Sequence, residues 1–155
     1  MREVAATSWV DPSGGNSCIR VYTTDGDGRI VERCWDTDQW YTGAFSAQGE
    51  HASATSWVQD GVLHIRVYVA DANGNVSELC WDGDGDGRWI TGAYRGQGHS
   101  VAATSWVDAS GLHLRVYAVG DGGTTVEQCW DQGGSGWYVG AYSESTQPAM
   151  SGRPG

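Results

Sequence analysis

The sequence predicts an all-β protein built from three copies of a four-stranded sheet, and three observations lead to this prediction. An I/L-R-V-Y strand recurs at residues 19–22, 65–68 and 114–117. Each copy follows an A/S-A-T-S-W motif and precedes E-x-C-W-D and then W-x-x-G-A-aromatic. The nine tryptophans fall three to a copy, and the 24 glycines cluster between β-rich runs, as turns between short strands require. These features together indicate a threefold internal repeat.

A four-stranded antiparallel sheet that is repeated around an axis is a propeller blade. Residues 1–142 are therefore predicted to form a three-bladed half-propeller, with repeats at about 5–45, 53–94 and 102–142. Closed propellers ordinarily need about four to eight blades. Three blades would leave two tryptophan-bearing faces open to water, so we expect a homodimer that completes a six-bladed ring.

Strand boundaries follow from the motifs and from the turn residues between them. In the first repeat the four strands are predicted at residues 5–10, 18–23, 30–36 and 40–45. The predicted linkers between blades are residues 46–52 and 95–101. Residues 143–155 contain prolines and small polar residues and are predicted to form a disordered tail.

Composition restricts the partners and the location of the protein. The formal charge is −10, from 19 acidic residues against nine arginines and no lysine. A negative surface is repelled by phosphate groups, so we expect neither nucleic acid nor an anionic membrane as a partner. The sequence shows no apolar stretch typical of a signal peptide or a membrane span. We therefore expect no membrane insertion, and either a cytoplasmic location or release by a non-standard route.

The cysteines and histidines do not predict a disulfide or a metal site. Cys34, Cys80 and Cys129 occupy one position in successive repeats, which is too far apart for a disulfide, whose Cα atoms lie within about 7 Å. We expect these three thiols to be small buried apolar groups, and Cys18 to be an additional unpaired cysteine. The four histidines lack metal spacing, and the acidic D-G-D-G-D-G turn at residues 82–87 lacks the glutamate that completes an EF-hand loop. No cofactor is expected.

Alternation of side chains along the strands predicts a cleft between adjacent blades. Arg20 and Tyr22 share one face of their strand, whereas Glu32 and Trp35 point to opposite faces. Each blade thus offers Arg and Glu to one neighbour and Trp to the other. Guanidinium donors and carboxylate acceptors can hold vicinal hydroxyls, while an indole packs on C–H groups and methyls. Such a cleft suits a neutral sugar with one apolar side, and a deoxy sugar with a methyl group best of all.

Two alternatives remain open on these residues alone. Arg and Glu could form a structural ion pair between blades, which would make a structural or protein-binding propeller. A propeller could also hydrolyse glycosides, but this chemistry needs two carboxylates that flank the scissile bond. We predict that Glu32 is opposed by Arg20, and that the aspartates of the C-W-D motifs end their strands without facing it. No catalysis is therefore expected.

The ordered motifs A-A-T-S-W, I-R-V-Y-T, E-R-C-W-D and W-Y-T-G-A-F closely resemble those of the Aleuria-type fucose-binding lectins, in particular the short bacterial members. The resemblance covers residues 5–142 in all three repeats. It implies a six-bladed propeller that binds L-fucose and fucosylated oligosaccharides between adjacent blades. It further implies a multivalent, non-catalytic lectin.

The resemblance also implies which residues form each sugar site. The first site would consist of Arg20, Glu32 and the backbone of Ala44 with Trp81 and Trp89. The second would consist of Arg66, Glu78 and Ala93 with Trp130 and Trp137. The third would consist of Arg115, Glu127 and Ala141 with Trp35 and Trp40 of a second chain. The spacing between the two site tryptophans differs in each repeat, so the sites should differ in shape. The tryptophans of the T-S-W motifs are expected to fill the core instead: Trp9, Trp57 and Trp106.

Overall fold

The computed structural model describes residues 3–145, which form twelve β-strands in three antiparallel sheets. Blade 1 contains β1 Val4–Val10, β2 Ser17–Thr24, β3 Arg29–Trp35 and β4 Trp40–Gln48. Blade 2 contains β5 His51–Gln59, β6 Val62–Ala70, β7 Asn75–Asp82 and β8 Ile90–Gln97. Blade 3 contains β9 Ser100–Asp108, β10 Gly111–Val119, β11 Thr124–Asp131 and β12 Tyr138–Ser145. Consecutive strands pair within each blade, which confirms the predicted all-β architecture.

The connections between blades are shorter than the sequence predicted. β4 continues to Gln48 because Arg29 of β3 pairs with that residue, so only two residues separate β4 from β5. Likewise β8 continues to Gln97, which pairs with Asn75. The first connection also passes close to the next blade, since a Cβ atom at Gly49 would lie 2.2 Å from Cγ1 of Val69. The predicted linkers 46–52 and 95–101 are therefore mostly strand.

The last strand corrects the predicted start of the tail. β12 continues to Ser145 because residues 143–145 pair with Thr124, Thr125 and Val126 of β11. The first three residues of the predicted tail thus belong to blade 3. Residues 146–155 lie outside the described residues. Within residues 3–145 there is no helix long and apolar enough to cross a membrane.

Successive blades pack face to face through a repeated apolar layer. Between blades 1 and 2, Tyr22 and Phe45 pack against Ile65, Val67 and Val69 of the next blade. The same arrangement recurs between blades 2 and 3, where Tyr68 and Tyr94 pack against Val116 and Ala118. Because burying each large apolar side chain contributes about 1.5–3 kcal/mol, these layers are the main source of stability between blades. They also fix the separation of the two blade faces that line each cleft.

The innermost strands are joined by hydrogen bonds from the T-S-W motifs. Thr7 Oγ1 and Ser56 Oγ lie 2.6 Å apart, and Thr55 Oγ1 and Ser105 Oγ are also 2.6 Å apart. The threonine of each motif therefore contacts the serine of the next blade. This repeated bond sets the register of one blade against the next.

The two terminal faces of the chain expose side chains whose counterparts are buried. Val4 on blade 1 is 68% exposed, whereas the equivalent Ala52 and Val101 are 5% and 8% exposed. On the other face of the chain, Tyr142 is 45% exposed, whereas the equivalent Tyr94 is fully buried. Both outer faces thus have the composition of an interior blade junction.

The four cysteines are free, as predicted, and Cys18 is buried like the other three. All four thiols are unpaired: Cys18, Cys34, Cys80 and Cys129. Burial raises the pKa of Cys34 to about 11 and that of Cys80 to about 12. Because the thiolate is the reactive form, these side chains act as small apolar groups near neutral pH.

Candidate functional site

A cavity lies at each of the two blade junctions within the chain. The first has a volume of about 200 Å³, and its lining includes all five residues predicted for the first site: Arg20, Glu32, Ala44, Trp81 and Trp89. The second has a volume of about 230 Å³, and its lining includes all five predicted for the second: Arg66, Glu78, Ala93, Trp130 and Trp137. In both cases blade n supplies Arg and Glu, and blade n+1 supplies the two indoles.

The residues predicted for the third site lie on the two outer faces of the chain. Arg115, Glu127 and Ala141 belong to blade 3, whereas the two tryptophans belong to blade 1, so one chain does not bring the groups together. The ring centroids of Trp35 and Trp40 are 5.7 Å apart at an interplanar angle of 52°. The corresponding values for the tryptophan pair of the first cleft are 5.9 Å and 49°. The tryptophan pair on the open face of blade 1 therefore has nearly the same geometry as the pair that lines the first cleft.

The carboxylate of each cleft is held by the tyrosine of the I/L-R-V-Y strand. Tyr22 Oη donates to Glu32 Oε2 at 2.8 Å, and Tyr68 Oη donates to Glu78 Oε2 at 2.7 Å. The strand register places each tyrosine directly opposite its glutamate. Both of these glutamates are only 4% exposed. One carboxylate oxygen is thus fixed by the tyrosine, which orients the group at the base of the cleft.

The same pair on blade 3 shows the electrostatic effect of this contact. Tyr117 Oη donates to Glu127 Oε2 at 2.6 Å. This hydrogen bond lowers the pKa of Glu127 and raises that of Tyr117 to about 12. The carboxylate is therefore an ionised acceptor at neutral pH.

The glycine of the W-x-x-G-A motif provides the space for this carboxylate. A Cβ atom at Gly43 would lie 2.0 Å from Glu32 Oε1, and one at Gly92 would lie 1.9 Å from Glu78 Oε1. The partner strands carry a register shift at this point, which brings the backbone close to the glutamate. A residue without a side chain is therefore required here.

The arginine of each cleft pairs with the aspartate of the C-W-D motif and not with the glutamate. Arg20 Nη1 donates to Asp36 Oδ1 at 2.6 Å, and the equivalent distances in blades 2 and 3 are both 2.9 Å. The prediction that Arg20 opposes Glu32 is therefore wrong. The glutamate carboxylate accepts its hydrogen bond from the tyrosine hydroxyl, and the arginine forms its ion pair with the aspartate instead.

The position of these aspartates is a second correction. We predicted that they end their strands and that none faces the glutamate. Strands β7 and β11 do end at Asp82 and Asp131, but Asp82 lines the second cleft together with Glu78. Along E-x-C-x-D the residues alternate, so Glu32, Cys34 and Asp36 follow one face of the chain. This spacing is the sequence signal that could have identified Asp36, Asp82 and Asp131.

Each arginine also lies over the tryptophan of a T-S-W motif. The guanidinium carbon is 4.9 Å from the ring centroid of Trp9, 5.1 Å from that of Trp57 and 5.0 Å from that of Trp106. Such cation–π contacts contribute about 0.5–1 kcal/mol at exposed sites and more when desolvated. The predicted core role holds for Trp57, which is 7% exposed, but not for Trp106, which is 42% exposed. These tryptophans therefore pack against the guanidinium groups and help to fix their positions.

The aspartate is held differently in each blade, so the three arginine sites are not equivalent. In blade 1, Tyr41 Oη donates to Asp36. In blade 2, His64 Nδ1 lies 2.6 Å from Asp82 Oδ1, and its ring stacks on Trp57. Blade 3 has both kinds of contact, from His113 and Tyr138 to Asp131. The sequence already differs at these points, since Cys18 replaces the histidine in blade 1 and Ile90 replaces the tyrosine in blade 2.

The pKa shifts of these aspartates predict a cleft that is insensitive to mild acid. Burial acts to raise the pKa of Asp36 and of Asp82. The hydrogen bond from Arg20 to Asp36 outweighs this effect, as do the hydrogen bonds from His64 and Arg66 to Asp82. The pKa of each aspartate is therefore lowered below 3.8. A lowered pKa means that the stabilising contribution is present above the ordinary pKa and is lost as the pH falls through the folded value. We expect the affinity of the first two clefts for ligand to change little between pH 8 and about 5, and to fall only below about pH 4. A midpoint of loss near pH 6 in a titration series would contradict this assignment.

Comparison with known proteins places the chain in a family. A family model described as fungal fucose-specific lectin matches residues 2–122 and 64–151. The structure is similar to that of a fucose lectin from Kordia zhangzhouensis in complex with methyl-fucoside, with a TM-score of 0.79 and 44% identity over 90% of this chain and 99% of that chain. It is also similar to the six-bladed β-propeller of the Aleuria aurantia lectin, with a TM-score of 0.72 and 24% identity, covering 93% of this chain and 47% of that one.

The sequence match to the fucose-specific lectin of Aleuria aurantia is more local. It has 41% identity over 46 residues, which are 28% of this chain and 15% of that protein. The aligned segment is therefore about the length of one repeat and spans a small part of the Aleuria protein. Since the family model covers most of the residues of this protein, the chain belongs to the fungal fucose-specific lectin family.

Proposed function

We propose that the chain binds α-L-fucosides in the clefts between its blades and acts without catalysis. The observation that carries this proposal is the recurrence of one set of groups around a cavity at both junctions within the chain. Each cavity combines an arginine, a buried glutamate and two indoles. The Kordia relative, which is 44% identical, has been solved with methyl-fucoside.

The geometry suits a deoxy sugar. The guanidinium donates and the glutamate accepts, so together they can hold neighbouring hydroxyls by charge-assisted hydrogen bonds. The two indoles offer apolar surface to the methyl group and the C–H side of the ring. Because the arginine is already fixed by its aspartate and tryptophan, little conformational entropy is lost when a sugar binds.

The carboxylates support binding and not hydrolysis. A glycosidase needs a protonated carboxylic acid as proton donor near neutral pH. In blade 3, hydrogen bonds lower the pKa of both Glu127 and Asp131. The pKa values of the aspartates in blades 1 and 2, Asp36 and Asp82, are lowered as well. The arginine of each blade therefore forms an ion pair with an aspartate. In blade 3 the carboxyl groups of both Glu127 and Asp131 stay ionised.

Isothermal titration with methyl α-L-fucoside tests the proposal, with galactose as the control sugar. A ligand of about 11 non-hydrogen atoms at roughly 0.5–0.7 kcal/mol per atom gives about −5.5 to −8 kcal/mol, or a Kd from ~100 μM to ~1 μM. We expect heat with the fucoside in this range and none with galactose. Heat with neither sugar would contradict the proposal and favour a structural or protein-binding propeller.

We further propose that two chains close a six-bladed ring. The outer faces match the interior junctions in composition, and the side chains that continue the Thr–Ser series, Thr104 and Ser8, are exposed on opposite faces. Ring closure would join the arginine and glutamate of blade 3 to Trp35 and Trp40 of the second chain. The ring would then present its sugar sites to one glycan surface, where multivalence raises the effective affinity.

Light scattering with two matched variants tests ring closure. We expect about twice the 16.6 kDa chain mass for the wild type and for Val139→Asp, but a monomer for Val4→Asp. The two valines are equally exposed, at 69% and 68%. However, the counterparts of Val139 in the other blades, Thr42 and Thr91, are exposed too, so Val139 lies away from the junction. A monomeric wild type at micromolar concentration would contradict the ring.

A further inference from the structure

The second cleft continues into a polar groove at the junction of blades 2 and 3. This groove has a volume of about 410 Å³ and shares four lining residues with the second cleft: Arg66, Asp82, Leu112 and Trp130. The cleft itself has about 230 Å³, so the groove is larger than the space assigned to one sugar. The two spaces therefore adjoin each other at these four residues.

A bridge between two glutamines defines the far side of this groove. Gln59 Nε2 of blade 2 donates to Gln132 Oε1 of blade 3 at 2.9 Å. The backbone N–H of Leu112 donates to the same oxygen at 2.9 Å, which fixes the orientation of the Gln132 amide. Among residues 3–145, Gln59 Oε1 and Gln132 Nε2 have no hydrogen-bond partner. The bridge thus holds one acceptor and one donor in fixed positions.

We propose that this groove binds the neutral sugar to which fucose is attached, so that the second cleft is a two-sugar site. A sugar hydroxyl both donates and accepts, and the free amide groups of the bridge offer the matching acceptor and donor. Asp84 also lines the groove, and its negative charge disfavours acidic sugars. This inference rests on the proposed binding of fucose in the adjoining cleft.

The first junction has the same backbone but lacks the bridge. Gly83 stands where blade 3 has Gln132, and its N–H donates to Leu63 O at 2.7 Å, as that of Gln132 donates to Leu112 O at 2.9 Å. The position of Gln59 is taken by Asp11, whose carboxylate accepts hydrogen bonds from Ser13. We therefore expect the first cleft to bind fucose without a contribution from the attached sugar.

The test compares a monosaccharide with disaccharides in a chain whose second cleft alone is active. In an Arg20→Ala, Arg115→Ala background, isothermal titration measures the Kd of methyl α-L-fucoside, fucosyl-α-1,2-galactose and fucosyl-α-1,6-N-acetylglucosamine. We expect at least one disaccharide to bind about tenfold more tightly than methyl fucoside, the effect of one or two net hydrogen bonds. Adding Gln132→Gly, which recreates the residue of the first junction, should remove this gain and leave the Kd of methyl fucoside within about twofold.

The outcomes distinguish failure of the groove proposal from failure of the proposed fucose binding in the cleft. If both disaccharides bind no more tightly than methyl fucoside, or if the gain survives Gln132→Gly, the groove does not bind the second sugar. If the wild type gives no heat with methyl fucoside, the proposed fucose binding fails, and the groove proposal fails with it. Thermal melting of the Gln132→Gly variant, expected a few degrees below its parent because the hydrogen bonds from Gln59 and Leu112 are lost, confirms that the comparison is between folded proteins.

Discussion

Replacing Arg20, Arg66 and Arg115 with alanine is expected to weaken binding of methyl α-L-fucoside by at least tenfold while the chain remains folded. Each arginine supplies the positively charged donors of its cleft, and hydrogen bonds to charged groups are worth about 1.5–3 kcal/mol, or roughly 10- to 150-fold in affinity. From a Kd of ~1–100 μM, this loss raises the Kd to between ~10 μM and ~15 mM, which calorimetry records as weakened or absent heat. The fold should survive, because each arginine contributes a partly exposed ion pair and one cation–π contact.

A triple variant with the same change in net charge is the matched control. Arg29, Arg33 and Arg95 are exposed, and their guanidinium groups contact only groups on the same blade. Replacing these three with alanine should leave the Kd within about twofold of the wild type. Retained affinity in the cleft variant, or equal loss in the control, would show that the clefts do not bind the sugar through these side chains.

Gly92→Ala is expected to inactivate the second cleft and to destabilise the chain by about 1–3 kcal/mol. The added Cβ would lie 1.9 Å from Glu78 Oε1 and 2.7 Å from Cys80 Sγ. The buried carboxylate must then move, which breaks its hydrogen bond from Tyr68 and removes the acceptor from the base of the cleft. Denaturant unfolding measures the first effect, and the number of fucosides bound per chain measures the second.

Gly26→Ala provides the control for this substitution. Gly26 lies in an exposed turn, and an added Cβ would meet no atom within 4 Å. We expect wild-type stability and the full number of bound sugars in this variant. If Gly92→Ala behaved in the same way, the close approach between the glycine and the glutamate would not be a requirement of the site.

The blade architecture and the sharing of each cleft could be predicted because both depend on periodicity. The threefold repeat fixed the number of blades, and the odd spacing between Glu32 and Trp35 placed them on opposite faces. Both consequences follow from the alternation of side chains along a strand. Two of the three tryptophan pairs line the cavities within the chain: Trp81 with Trp89, and Trp130 with Trp137.

The partner of each arginine could not be predicted with the same rule alone. Two carboxylates on one face compete for it, and the choice depends on which of them another donor already satisfies. The strand register places Tyr22 opposite Glu32, so the tyrosine takes the glutamate and Asp36 is left to Arg20. The length of the connections was also misjudged, because polar residues after the G-A motif continue to pair at the outer edge of each sheet.

Native mass spectrometry of the protein saturated with methyl α-L-fucoside is the most direct test of a sugar site at every blade junction. Two of the proposed sites lie at the cavities within a chain, and the third proposed site needs Trp35 and Trp40 of a second chain. We predict a two-chain ring that carries six sugars, that is, three per chain. A monomer with two bound sugars would contradict ring closure, and a protein that binds none would contradict the function itself.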